Sequence, residues 1–190
     1  MRHDKIDIPK SKQEGRIIRK TWIIESIIDF LVYSALIIPF PLLSGFFFFD
    51  KLKKGDYLVG ASVLFGLALI YGGLLLYSIL NLDRLKRING TLTDRNRQII
   101  KDLADKLGWD LLIYNKHLSV IWAPWSSLST TFGRQIIVIY GKEHILTNST
   151  CYLFHDIKSP YHWFGNRNTK RIIKESFEKE IKETLTNNNV

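Results

Sequence analysis

Residues 30–49 read FLVYSALIIPFPLLSGFFFF and residues 57–82 read YLVGASVLFGLALIYGGLLLYSILNL, with the charged turn DKLKKGD between them at 50–56. Neither run contains Asp, Glu, Lys, Arg or His. At about 1.5 Å of rise per helical residue, roughly 20 residues span a hydrocarbon core of about 30 Å, and both runs reach that length. The expected architecture is a membrane α-helical hairpin of two transmembrane helices, with the rest of the chain arranged around it. It divides the 190 residues into a basic tail with an amphipathic surface helix (1–29), the hairpin (30–82) and a small cytoplasmic α+β domain (83–190). The last portion is long enough for one domain with its own core and too short for two.

Pro39-Phe40-Pro41 interrupts the first run. Each proline lacks an N–H and clashes with the preceding turn, so a kink or break is expected near Ile38. A broken helix lining a transport path is one reading. A simple kink, or a helix ending at Pro39, is the preferred one, because neither run carries the intramembrane charge that marks ion paths. In the second run Ser62, Gly66 and Gly73 share a face, with Ala61, Ala68 and Gly72 nearby. Small residues at this spacing let another helix approach closely. The nearest partner is the first run of the same chain, and a homo-oligomer is the second reading.

Orientation follows from the basic residues. Arg2, Lys5, Lys10, Lys12, Arg16, Arg19 and Lys20 precede the hairpin; Arg84, Lys86, Arg87, Arg95, Arg97 and Lys101 follow it closely. The turn holds only Lys51, Lys53 and Lys54, offset by Asp50 and Asp56. The bias points to a multi-pass protein of the plasma (inner) membrane with both termini cytoplasmic and the turn outside. The net charge of +9 has the same origin, so no nucleic-acid partner is expected. On that placement the sequons at Asn89 and Asn148 are accidental. A single cysteine, Cys151, rules out an internal disulfide framework.

Residues 1–21 read as a frayed polar tail. From Ile17, the series Ile17, Ile18, Trp22, Ile23, Ile24, Ile27 and Ile28 recurs at helical spacing, which predicts an amphipathic helix at the membrane surface leading into the first span. The polar stretch is too long and the apolar run too extended for a cleavable signal peptide.

After the hairpin, Thr91 or Thr93 starts a helix with the apolar stripe Ile99, Ile100, Leu103 and Leu107, and Gly108 ends it. Strands follow at 109–114 and 117–122 around Asn115-Lys116, then at 135–140 and 144–147 around Gly141-Lys142-Glu143, the last reaching toward 151–154. A closing helix at about 169–185, capped by Asn168, carries Ile172, Ile173, Phe177, Ile181 and Leu185 on one face. The order α-β-β-β-β-α describes an antiparallel sheet with helices on one face. In layout alone the chain is similar to membrane-anchored bacterial proteins with pleckstrin-homology-like domains.

Cys151, His155, Asp156 and His162 lie close together in sequence. On a strand, positions four apart are about 13 Å apart, beyond shared ligand reach. No catalytic residue, metal site or cofactor is expected from them. The stretch from Ser159 to Arg171 is more informative: Tyr161, Trp163 and Phe164 supply aromatic rings, and Arg167, Lys170 and Arg171 supply cations at a helix start. Aromatic rings favour the bilayer interface and cations suit lipid phosphates, so these six residues are the expected lipid- or partner-binding site. The competing reading makes the same rings core plugs between helix and sheet. Trp122-Ala123-Pro124-Trp125 and the polar loop 126–131 invite the same two readings.

The expected function is non-catalytic: an integral membrane protein displaying an α+β domain that binds a protein partner or membrane lipid. The alternatives are a transporter or channel subunit and a toxin-neutralising, immunity-type membrane protein.

Overall fold

The computed structural model describes residues 6–20, 23–55, 59–124, 133–152, 158–160 and 163–187, the side chains of 23–26, 163–170 and 184–187 excepted. In chain order the elements are α1 (Ile8–Glu14), α2 (Ile23–Ile37), α3 (Pro39–Lys54), α4 (Val59–Asn81), β1 (Lys86–Asn89), α5 (Thr93–Leu107), β2 (Asp110–Tyr114), β3 (Leu118–Ala123), β4 (Arg134–Tyr140), β5 (His144–Cys151) and α6 (Trp163–Asn187). They form two units: Thr21–Leu82, and Met1–Lys20 together with Asp83–Val190.

In the hairpin unit, the helical stretches Ile27–Lys54 (28 residues) and Val59–Asn81 (23 residues) are long and apolar enough to cross a membrane. The prolines divide the first at Ile38 without ending it. Ile38 N–H donates to Ser34 O (2.9 Å) and Leu42 N–H to Ile38 O (3.0 Å), so the ladder resumes around the donors that Pro39 and Pro41 lack. The helix continues past the apolar run to Lys54 and stops at Gly55, whose φ of 67° is left-handed. Lys51, Lys53 and Lys54 fill its last turn, where cations complement the exposed carbonyls.

Close approach between α3 and α4 uses the small residues that flank the expected face, Ala61, Ala68 and Gly72, rather than Gly66 and Gly73. Ala61, Ala68, Gly72 and Leu75 form the buried face of α4. A Cβ added at Gly72 would lie 3.2 Å from Pro41, and one at Gly45 would lie 3.1 Å from the Phe65 ring. Phe48 stacks on Phe65 at 5.5 Å between centroids, and Phe40 meets Tyr71 edge-on at 5.8 Å. Gly66 and Gly73, expected at the contact, have nothing within 4 Å of an added Cβ. The proline ring and the phenyl rings of α3 set the rotation of α4, which spacing along α4 alone does not reveal.

The second unit is built on a five-stranded antiparallel sheet in the order β1-β5-β4-β3-β2. Alternation sends Ile136, Val138 and Tyr140 to one face, where Ile99, Ile100, Leu103, Ile173 and Phe177 of α5 and α6 cover them. Ile137 and Ile139 point to the other face, beside Leu118 and Val120. That face is covered by the N-terminal segment: Ile17 is buried there, and Ile6 and Ile8 pack against it. The segment 6–20 is thus not a frayed tail. Asp7 caps α1 by accepting from Lys10 N–H (3.2 Å), Gly15 ends it with φ 65°, and Ile17 and Ile18 are extended rather than helical. The helix expected from Ile17 begins instead at Ile23, on the other side of the division between the units.

Two further expectations change. The basic stretch after the hairpin contains the edge strand β1, pairing with β5 from Lys86↔Thr147 to Asn89↔His144. Helix α6 starts at Trp163 rather than Thr169. The turns match the sequence reading: Gly108 (φ 65°) closes α5, and Asn115 Oδ1 accepts from His117 and Leu118 N–H, both at 2.9 Å, to turn β2 into β3.

Candidate functional site

The root of the hairpin is where the second unit concentrates its polar contacts. The segment before the hairpin pairs with the segment after it: Ile17 N–H donates to Asp83 O and Leu85 N–H to Gly15 O, both at 2.8 Å. This is an antiparallel ribbon with Arg16 opposite Arg84. Asn148 Nδ2 donates to Arg84 O (3.0 Å), tying the ribbon to β5. Lys158 Nζ binds both carboxylate oxygens of Asp83, at 2.6 and 2.5 Å, with both side chains mostly buried. Ser159 N–H then donates to Cys151 O (2.8 Å). Asn148 is fully buried, so its sequon is sealed within the folded sheet.

Trp163, Phe164, Arg167 and Lys170 fall on the first turns of α6, not on a loop, and Trp163 begins five residues after the Lys158 that grips Asp83. Backbone placement therefore starts the expected aromatic and basic segment five residues after Lys158, whose side chain binds Asp83 at the hairpin root. Arg171 is exposed, with Glu175 at 3.9 Å one turn on. Tyr161, His155, Asp156, His162 and residues 125–132 lie outside the described residues. Trp122 is half-buried: its ring lies 6.4 Å from Tyr152 and directly over Gly133. Cys151 is a buried thiol opposite Arg134. Among the described residues, no three His, Cys, Asp or Glu side chains are placed to hold a metal.

Sequence reasoning missed a second polar concentration at the opposite end of the sheet, where the β2–β3 and β4–β5 turns meet the start of α5. A shallow basin of about 450 Å³ there is lined by Lys12, Thr93, Asp94, Lys116, His117 and Lys142, among others. Lys12 Nζ donates to Tyr140 O (2.5 Å) and Thr93 Oγ1 to Gly141 O (2.9 Å), closing its walls. His144 sits at its margin against Gly141. Burial first, then Arg87 and Lys12, pushes its imidazole below the ordinary histidine value against the pull of Glu143. The available signal was Lys116-His117 and Lys142-Glu143-His144 in two turns, but only strand pairing shows that those turns are neighbours.

Beneath the sheet surface, the Tyr140 hydroxyl bonds to Ser119 Oγ at 2.7 Å, and burial raises its pKa. Tyr152 OH donates to Gln135 Oε1 (2.6 Å). These pairs satisfy groups that would otherwise weaken the core.

No protein-family model matches the chain, and neither curated proteins nor solved structures give a match.

Proposed function

We propose that this chain is an integral membrane protein whose hairpin holds the sheet unit at the cytoplasmic surface of the inner membrane, where that unit binds a protein partner or lipid headgroups without catalysis. The observation that carries this reading is the contrast between the units. The sheet unit covers both faces of its sheet, whereas the hairpin leaves Phe30 (69%), Leu42 (66%), Phe46 (77%) and Tyr77 (65%) exposed. Monomeric soluble proteins rarely expose so many large apolar side chains on neighbouring helices, and lipid is the solvent that suits them. The paired segments at Arg16 and Arg84 support a hairpin that leaves and re-enters on one side. The start of α6, near Lys158 in sequence, supports Trp163, Phe164, Arg167, Lys170 and Arg171 as the headgroup-facing set, and the basin beside His144 suits an acidic protein surface.

The test is extraction of native membranes with alkaline carbonate. The protein is expected in the pellet with integral proteins, and release into the supernatant would end the reading. A second reading, self-association through α4, is favoured by the open space at Gly66 and Gly73. It requires that Gly66→Leu shift a dimer to monomer in mild detergent.

A further inference from the structure

Arg16 and Arg84 stand directly opposite each other in the ribbon at the hairpin root. The flanking bonds, Ile17 N–H to Asp83 O and Leu85 N–H to Gly15 O, make theirs the non-hydrogen-bonded type of antiparallel pair, in which the side chains share a face and lie closest. Like charges so placed repel and destabilise the pairing. Both side chains are exposed, and neither makes an ion pair with a described residue. A cation close by in the same unit is neutralised: Lys158 pairs with Asp83, the residue before Arg84. The ribbon is nevertheless held in place by backbone bonds and by Asn148, so the repulsion is imposed by the fold.

We propose that Arg16 and Arg84 together clamp the phosphate of an anionic lipid headgroup. Two guanidinium groups on one face offer several N–H donors to phosphate oxygens, which is the geometry arginine uses for planar, multidentate recognition. The phosphate comes from lipid because of covalent reach: Arg84 follows Asn81, the last residue of α4, by three residues, or about 10 Å of extended chain. Arg16 is fixed across from it. Lys20 and Lys86, also exposed, continue the positive charge along the two segments. The inference rests on the membrane reading above and adds the residues that contact the bilayer surface.

The test uses the full chain in bicelles of phosphatidylcholine with a minor fraction of phosphatidylglycerol, with retained lipid counted by native mass spectrometry. Wild type is expected to retain phosphatidylglycerol over phosphatidylcholine, and Arg16→Gln with Arg84→Gln to lose that preference by roughly fivefold per arginine, the effect of one basic residue at an anionic surface. Arg16→Lys with Arg84→Lys should keep part of it. The Gln pair should also raise the Tm in pure phosphatidylcholine, where repulsion is relieved, and lower it relative to wild type once phosphatidylglycerol is added; a purely structural role would not reverse sign. Equal retention by wild type and the Gln pair, or the same Tm difference in both lipids, overturns the clamp. Competition by millimolar inorganic phosphate overturns the lipid assignment. Carbonate release of wild type would sink the membrane reading itself, whereas a carbonate-resistant Gln variant with unchanged lipid retention sinks the clamp alone.

Discussion

Gly133 and His144 show how single residues constrain the sheet unit. Gly133 leads into β4 with φ 126°, a conformation L side chains rarely adopt, and a Cβ there would come within 2.1 Å of the Trp122 ring. Gly133→Ala is expected to cost at least the 1–3 kcal/mol or so of a strained backbone position, read as a lower urea midpoint of the sheet unit. His144 sets a pH dependence. Its folded pKa lies below the ordinary 6.5, so between the two values the unfolded chain binds the proton that the folded chain refuses. The stability due to neutral His144 is complete above the ordinary value and is lost as pH falls through the depressed one. Unfolding curves from neutral pH down to about pH 5 should flatten in His144→Gln. An unchanged slope would remove this role.

At the scale of elements, the N-terminal segment is the surprise. Ile17 fills the second sheet face beside Val120 and Ile137, so Ile17→Ala is expected to destabilise the sheet unit by about 2–5 kcal/mol, as large-to-small core changes do. A Tm shift of less than a degree or two would mean that the segment merely rests on the sheet. Its role was illegible in sequence because Ile17, Ile18, Trp22 and Ile23 satisfy a helical period, although the chain passes from one unit to the other between Lys20 and Thr21. Periodicity cannot see such a division. Strand β1 was hidden for a different reason: Lys86-Arg87-Ile88-Asn89 sends only Ile88 into the core. Exposed charge on a short edge strand is a normal protection against unwanted pairing, and it also erases the alternating signal. Helix α5 and both hairpins were readable, since Gly108, Asn115 and Gly141 punctuate strongly apolar segments. The early start of α6 was not, because Gly165, Asn166 and Asn168 resemble a loop and cap.

For the whole molecule, the two apolar helical stretches were legible because an unbroken absence of charge over residues 30–49 and 57–82, which form most of them, is rarer than any short motif. The candidate site was legible only in part. Sequence marked Trp163 and Arg167 as unusual, but the arginine pair and the basin beside His144 join residues far apart in the chain, through pairings that no local pattern contains. The proposed arrangement makes the sheet unit one side of a membrane and the turn after α3 the other. It is tested most directly by labelling intact cells with a membrane-impermeant maleimide, using Lys53→Cys at the C-terminal end of α3 and Lys116→Cys in the sheet unit, each in a Cys151→Ser background. Lys53→Cys should label from outside and Lys116→Cys only after the membrane is opened; labelling of both from the same side would contradict the two-span hairpin.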